Sequence, residues 1–185
     1  MEIQTLTPNF PIHTHPYRSK GVHLSDILDF IEITALGKKP FHENADNQLW
    51  AEIGFLWETV MKERVLGMHG TCSDSYVDGE LSMDGIVGSP DMMDIFNDTI
   101  WEFKCTWKSC KKHPVSENQR WLWQVKSYCH MAGYNKALIC ALYINGSYSP
   151  LRPIYEQTLF TFTDQELAGH WSMILTNAKS GGFLL

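Results

Sequence analysis

Apolar residues recur at steps of three and four in two stretches near the start of the chain, and each predicts a helix. The first opens at Ser25, a candidate cap, carries Asp26 in its first turn and stops before Gly37, which gives a helix over 25–36. The second covers 46–66 and closes at Gly67; Leu49, Ile53, Leu56, Trp57 and Val60 fall at helical spacing and should face the core. The pattern then shortens to strand-like runs over 80–87, 91–95 and 99–107. In the last of these, Trp101, Phe103 and Cys105 alternate with Glu102 and Lys104, so the apolar set should face inward and the charged pair outward. Ser116-Glu117-Asn118-Gln119 reads as a capping box that opens a helix to about residue 131. The continuous run ALICALYI, 137–144, predicts a buried strand, and 157–162 a further one. Thr163-Asp164-Gln165-Glu166 is a second capping box, starting a terminal helix with Leu167, Trp171 and Leu175 on one face. The order predicts an α/β fold: a central mixed β-sheet flanked by helices.

Composition narrows this little but excludes several classes. A chain of 185 residues with 44% hydrophobic and 12% aromatic content is read as a single globular domain, 1–185. Residues 1–24 form an N-terminal loop segment in this reading, and 150–185 a C-terminal strand and helix. No apolar run is long enough to span a membrane, the N-terminus has no signal-peptide pattern, and five cysteines at irregular spacing form no disulfide framework. A cytoplasmic protein without a membrane partner is the expectation. No C-x-x-C pair supports a zinc ribbon. The net charge of −6 counts against a simple DNA-binding module, yet Lys108, Lys111, Lys112 and Arg120 cluster after the Glu102-Lys104 strand.

The chemistry concentrates in Gly88–Lys104. Asp91 precedes a strand bearing Glu102 and Lys104, and two carboxylates that share a divalent cation beside a lysine can promote attack of water on phosphate. Taken singly, Pro90-Asp91 is a turn and Glu-x-Lys the wet side of an edge strand. Together, in order and at this spacing, Pro90-Asp91 and Glu102-Phe103-Lys104 resemble the PD-(D/E)XK nuclease superfamily. Gln124-Val125-Lys126-Ser127-Tyr128 follows, similar to the Q-x-x-x-Y motif of its lambda-exonuclease and RecB-like branch; one helical turn puts Gln124 and Tyr128 on one face.

What the resemblance implies extends over about 18–145. It implies a restriction-endonuclease-like core, with Mg²⁺ (or Mn²⁺ in its place) held by Asp91, Glu102 and the Phe103 carbonyl. A helical acid completes the site; Glu52, Glu58 and Glu63 compete, and Glu58, one turn beyond Gly54, matches best. Lys104 would position the attacking water, and Gln124 would hydrogen-bond the water, Lys104 or a phosphate. Arg18 and Lys20 compete for a place against a DNA end. Lys108, Lys111, Lys112 and Arg120 would contact the DNA backbone, and Tyr128 would fix its helix or contact DNA. Asp84-Gly85 resembles the S-P-D-G form of the motif and is the second choice for the metal acid, while the direction of Asp94 stays open. The iron–sulfur cluster of some relatives is not expected, since no cysteine follows Cys140.

The activity implied is a metal-dependent DNA exonuclease, end-dependent and of the recombination type found in phage, working in a host cytoplasm if viral. Its partners would be duplex DNA ends, further copies of the chain and a single-strand annealing or recombination protein. A structure- or sequence-specific endonuclease and a catalytically silent nucleic-acid-binding domain are the alternatives.

Overall fold

The computed structural model describes residues 20–39, 45–68, 76–77 and 79–185. A two-residue strand, β1 (Val22–His23), leads directly into α1 (Leu24–Leu36). The helix cap is His23 rather than Ser25, with no side-chain cap bond, and Gly37 ends the helix at φ 63° as its position predicts. The second helix, α2, runs Ala45–Met68. Short strands follow: β2 (Tyr76–Val77), β3 (Leu81–Met83), β4 (Ile86–Gly88) and β5 (Met92–Asp94). The long strand β6 covers Thr99–Thr106. The strand expected over 80–87 is therefore a hairpin of two, because Asp84 and Gly85 adopt positive φ (51° and 78°) and reverse the chain.

A single 3₁₀ turn, Val115–Glu117, precedes α3 (Gln119–Ala132). Asn118, not Ser116, caps α3, its side chain accepting from the Trp121 N–H at 3.3 Å. Then come β7 (Lys136–Tyr143), β8 (Ile154–Thr161) and α4 (Asp164–Ser180). The Thr163–Glu166 capping box is present with both of its reciprocal bonds.

The strands form two mixed sheets, β2-β5-β6-β7-β8 and β1-β4-β3. In the larger one β6 and β7 are parallel, joined by α3 as the crossover, and the other pairs are antiparallel. One face of this sheet packs on α1, α3 and α4 around Ile27, Ile31, Ile100, Val125, Ile139 and Ile174. The other face carries a smaller cluster in which Met61 and Trp57 of α2 meet Trp101, Phe103 and Cys140.

This division corrects two expectations. Leu56 is 64% exposed, and Leu49 and Val60 lie open as well, so α2 turns Trp57 and Met61 inward instead of the whole predicted stripe. Glu102 is not on a wet face: it is wholly buried, on the side of β6 that meets α3. The strand lies between β5 and β7 with helices over both faces, so alternation along it separates two cores rather than core from solvent.

Candidate functional site

The β5–β6 hairpin sets two acids side by side. Met92 pairs with Trp101, so Asp91, one residue earlier, lies next to Glu102 and Phe103. The Phe103 N–H donates to Asp91 Oδ2 at 2.6 Å, and the Asp91 N–H donates to Glu102 Oε1 at 3.3 Å. Lys104, two residues along the strand and therefore on the same side as Glu102, donates from Nζ to Glu102 Oε2 in a largely buried ion pair. Buried Pro90 leads into Asp91.

Electrostatics at the three groups follow from packing two carboxylates and one ammonium out of water. Burial raises the Asp91 pKa most, the neighbouring Glu102 raises it further, and Lys104 and the Phe103 N–H oppose them; the balance is about 8. The Glu102 carboxyl is likewise raised, chiefly by burial, against the pull of Lys104. Burial alone would lower the Lys104 ammonium, but Glu102 and Asp91 outweigh it and hold its pKa above the ordinary value. Glu58 of α2 adds to the field at all three, while its own carboxylate pairs with Lys62 at 2.9 Å. Nothing within 4 Å would meet a Cβ at Gly54, one turn before Glu58.

Among the described residues no group of three or more His, Cys, Asp and Glu converges as a preformed metal cage. The donor set is two adjacent carboxylates with a third acid farther out. That suits Mg²⁺, a hard cation that keeps several waters and takes one or two carboxylates with substrate phosphate. The residues present therefore fit a divalent cation.

Helix α3 closes the site from the other side. Gln124 Nε2 donates to the Tyr128 hydroxyl at 3.1 Å, so the Q-x-x-x-Y pair bonds within itself. Tyr128 is buried, not a surface contact, and its pKa is raised by burial and then by Glu102; it also accepts from the Ser89 N–H. Gly88 makes this approach possible, for a Cβ there would lie 2.6 Å from the Tyr128 ring. The Gly88–Tyr128 contact is invisible in the sequence, since it joins two segments with no shared pattern; the only signal was a glycine beside the Ser89-Pro90-Asp91 turn.

The remaining candidates fall elsewhere. Asp84 accepts from the Trp171 indole N–H at 2.8 Å, tied to α4 and not to Glu102. Asp94 is buried in the hairpin turn, accepting from the Phe96 and Asn97 N–H groups, both at 3.1 Å, which settles its direction. Lys20, Lys108, Lys111 and Lys112 are exposed. Arg120 ties α3 to α1 through Asp29 at 2.7 Å and Glu32 at 3.3 Å. Arg18 lies outside the described residues. The described free cysteines are Cys105, Cys110, Cys129 and Cys140. No described helix is long and apolar enough to cross a membrane.

No protein-family model matches the chain. No curated protein matches it either. Among solved structures, an alkaline exonuclease from Laribacter hongkongensis is similar at 14% identity and TM-score 0.50, over 87% of this chain and 89% of that one. The same protein in complex with dAMP gives 15% identity and TM-score 0.50 over the same shares. A phage-related exonuclease from Haemophilus somnus 129PT gives 15% identity and TM-score 0.49, over 85% and 79%. The chain has the fold of the alkaline exonuclease, and the expected central mixed sheet flanked by helices is borne out.

Proposed function

We propose that this chain is a Mg²⁺-dependent deoxyribonuclease that degrades DNA from an end. The observation that carries the reading is the convergence of Asp91, Glu102 and Lys104 across one hairpin. The fold shared with the alkaline exonuclease, itself seen in complex with dAMP, supports DNA as the substrate class.

The Asp91 and Glu102 carboxylates and the Phe103 carbonyl would hold the cation, with Glu58 within reach directly or through water. Mg²⁺ supplies a Lewis acid that lowers the pKa of water and offsets charge on phosphate. Lys104, kept charged by its carboxylate neighbours, orients the attacking water and offsets charge at the scissile phosphate. Gln124 acts through Tyr128, which fixes α3 against the Ser89-Pro90-Asp91 turn. Lys20, Lys108, Lys111 and Lys112 supply exposed cations along a path for the DNA backbone. The proposed partners stay a DNA duplex end, further copies of the chain and an annealing or recombination protein of phage type.

The deciding experiment compares linear duplex, covalently closed circular duplex and single-stranded DNA at one Mg²⁺ concentration, with chelator as control. Rapid loss of linear duplex with the closed circle intact is expected. Equal cleavage of the circle would replace the exonuclease with the endonuclease reading, and no Mg²⁺-dependent cleavage of any DNA would reject nuclease activity.

A further inference from the structure

A second concentration of positive charge lies beyond the carboxylate site. Where the end of α1 meets the segment between β6 and α3, a cavity of about 310 Å³ is lined by Lys38, Lys108, Lys112, His113 and Arg120, with Glu32 among them. Glu32 is already engaged, contacting both Lys38 and Arg120. Glu117 is the other carboxylate of the lining, so four lysine and arginine side chains face two acids in a chain of net charge −6. Lys108 and Lys112 are exposed and make no ion pair among the described residues.

The segment that carries them is held in place. The Cys110 N–H donates to the Gly146 carbonyl at 3.0 Å, and the Lys112 and His113 N–H groups both donate to the Ser109 carbonyl, at 3.2 and 2.9 Å. The Tyr143 hydroxyl donates to the His113 carbonyl at 2.9 Å, and Cys110 and Val115 are buried in the core. Two exposed ammonium groups on a pinned segment form a fixed recess rather than a freely moving basic loop. The first residues of α3, Gln119 and Arg120, border the same recess together with the cap residue Asn118.

We propose that this cavity binds a phosphate group, namely a backbone phosphodiester of the nucleic-acid strand at a distance from the scissile bond. The position follows from connectivity. Lys108 stands four residues beyond Lys104, in the bend that follows the end of β6 at Thr106, so its backbone is at most about 14 Å away. Arg120 stands four residues, about one helical turn, before Gln124 on α3. The segment that leaves β6 and the start of α3 border the recess, while β6 and α3 themselves carry the acids and the Gln124–Tyr128 pair, so the two sites are neighbours along the chain. A strand gripped in the recess is held in register at the acids. The source of the phosphate rests on the nuclease reading; the anion site itself does not.

The test uses the full chain, with fluorescence anisotropy of labelled oligonucleotides in the presence of chelator between about 50 and 200 mM salt. Lys108→Gln/Lys112→Gln is expected to weaken binding about tenfold and to reduce the salt slope by about one phosphate contact. A matched control, Arg152→Gln/Lys179→Gln, makes the same change in net charge at exposed positions outside the cavity. Equal weakening by both pairs would overturn the proposal, because net charge alone would then explain it. In a calorimetric arm with inorganic phosphate, binding lost in the lysine variant with oligonucleotide affinity unchanged would overturn the backbone assignment in favour of free phosphate. Wild-type protein that grips oligonucleotide through Lys108 and Lys112, yet cleaves none with Mg²⁺, would support the cavity while removing the nuclease reading.

Discussion

Asp84 and Asp91 stand seven residues apart, each just outside a short strand, and they have different fates. Asp84 sits at φ 51° in the β3–β4 turn, exposed, and its carboxylate is used up by the indole of Trp171. Asp91 opens β5 beside a second buried carboxylate and an ammonium, and accepts from the backbone of Phe103. Asp-Gly matches the local chemistry of a tight turn, which is the use to which Asp84-Gly85 is put. A reactive site needs something a local motif cannot supply: a second acid brought opposite by strand register. The difference between the two acids lies in the partner each is given.

Substitution at the two positions should separate them most widely. Asp91→Asn removes one of two carboxylates and is expected to lower Mg²⁺-dependent DNA hydrolysis by about a thousandfold or more. Asp84→Asn keeps an acceptor for Trp171, and turnover should stay within about twofold with a stability loss under about 1 kcal/mol. Comparable losses of turnover at both positions would undo the contrast.

Lys104→Ala should come next, with hydrolysis lowered about a hundredfold or more. The side chain is not a surface lysine, so the substitution also leaves Glu102 buried without its cation. In metal-free buffer above pH 8 the variant should melt well below the wild type, and acidification should narrow the gap as the carboxylates protonate. Equal melting temperatures at both pH values would show that the ion pair contributes nothing.

Gly88→Ala tests the reach of α3 toward the acids. A methyl group 2.6 Å from the Tyr128 ring cannot be accommodated in place. The expected result is a stability loss of about 1–3 kcal/mol and about tenfold slower turnover with Asp91 and Glu102 intact. Wild-type kinetics would mean that Tyr128 positions nothing.

The last effect is a slope, modest over any one pH unit. The folded-state pKa of Asp91, about 8, lies above the ordinary value of 3.8, so the folded protein binds more protons between the two. Stability without divalent cation is therefore full below the ordinary carboxylate range and falls as pH rises toward 8, by up to about 1.4 kcal/mol per pH unit for one proton. Denaturant midpoints from pH 5 to 9 measure it, and Asp91→Asn should flatten the curve. A wild-type curve that rises over this interval would contradict the assigned pKa. Divalent cation added near pH 7 should release a proton, measurable as a buffer-dependent heat.

The comparison also shows what the linear chain could convey. Helices α1, α3 and α4, strands β6, β7 and β8, and the order Asp91, Glu102, Lys104, Gln124, Tyr128 were all legible, because each rests on short-range periodicity, capping or spacing. Glu102 was misplaced on a wet face because alternation reports that two faces differ, not which of them meets water. The inward face of α2 was misread for a related reason: the second core is small, and Trp57 with Met61 suffices to fill it, leaving Leu56 outside. The roles of Asp84, Gly88 and Arg120 needed contacts with Trp171, Tyr128 and Glu32, each a long way off along the chain.

The short chain distance between the paired acids bears on the order in which the protein assembles. Asp91 bonds to residues eleven and twelve positions away, within a single antiparallel hairpin, and such closures are fast and entropically cheap. Tyr128 arrives only when the crossover through α3 brings β7 alongside β6, a contact of much longer range. The hairpin can thus bring its two carboxylates together while both are still hydrated and their repulsion is muted by water. Desolvation is imposed later, as the helices close over them. On this hypothesis alkaline pH acts after the folding barrier and speeds unfolding more than it slows folding; chevrons at pH 6 and 8.5 differing mainly in the folding arm would refute it.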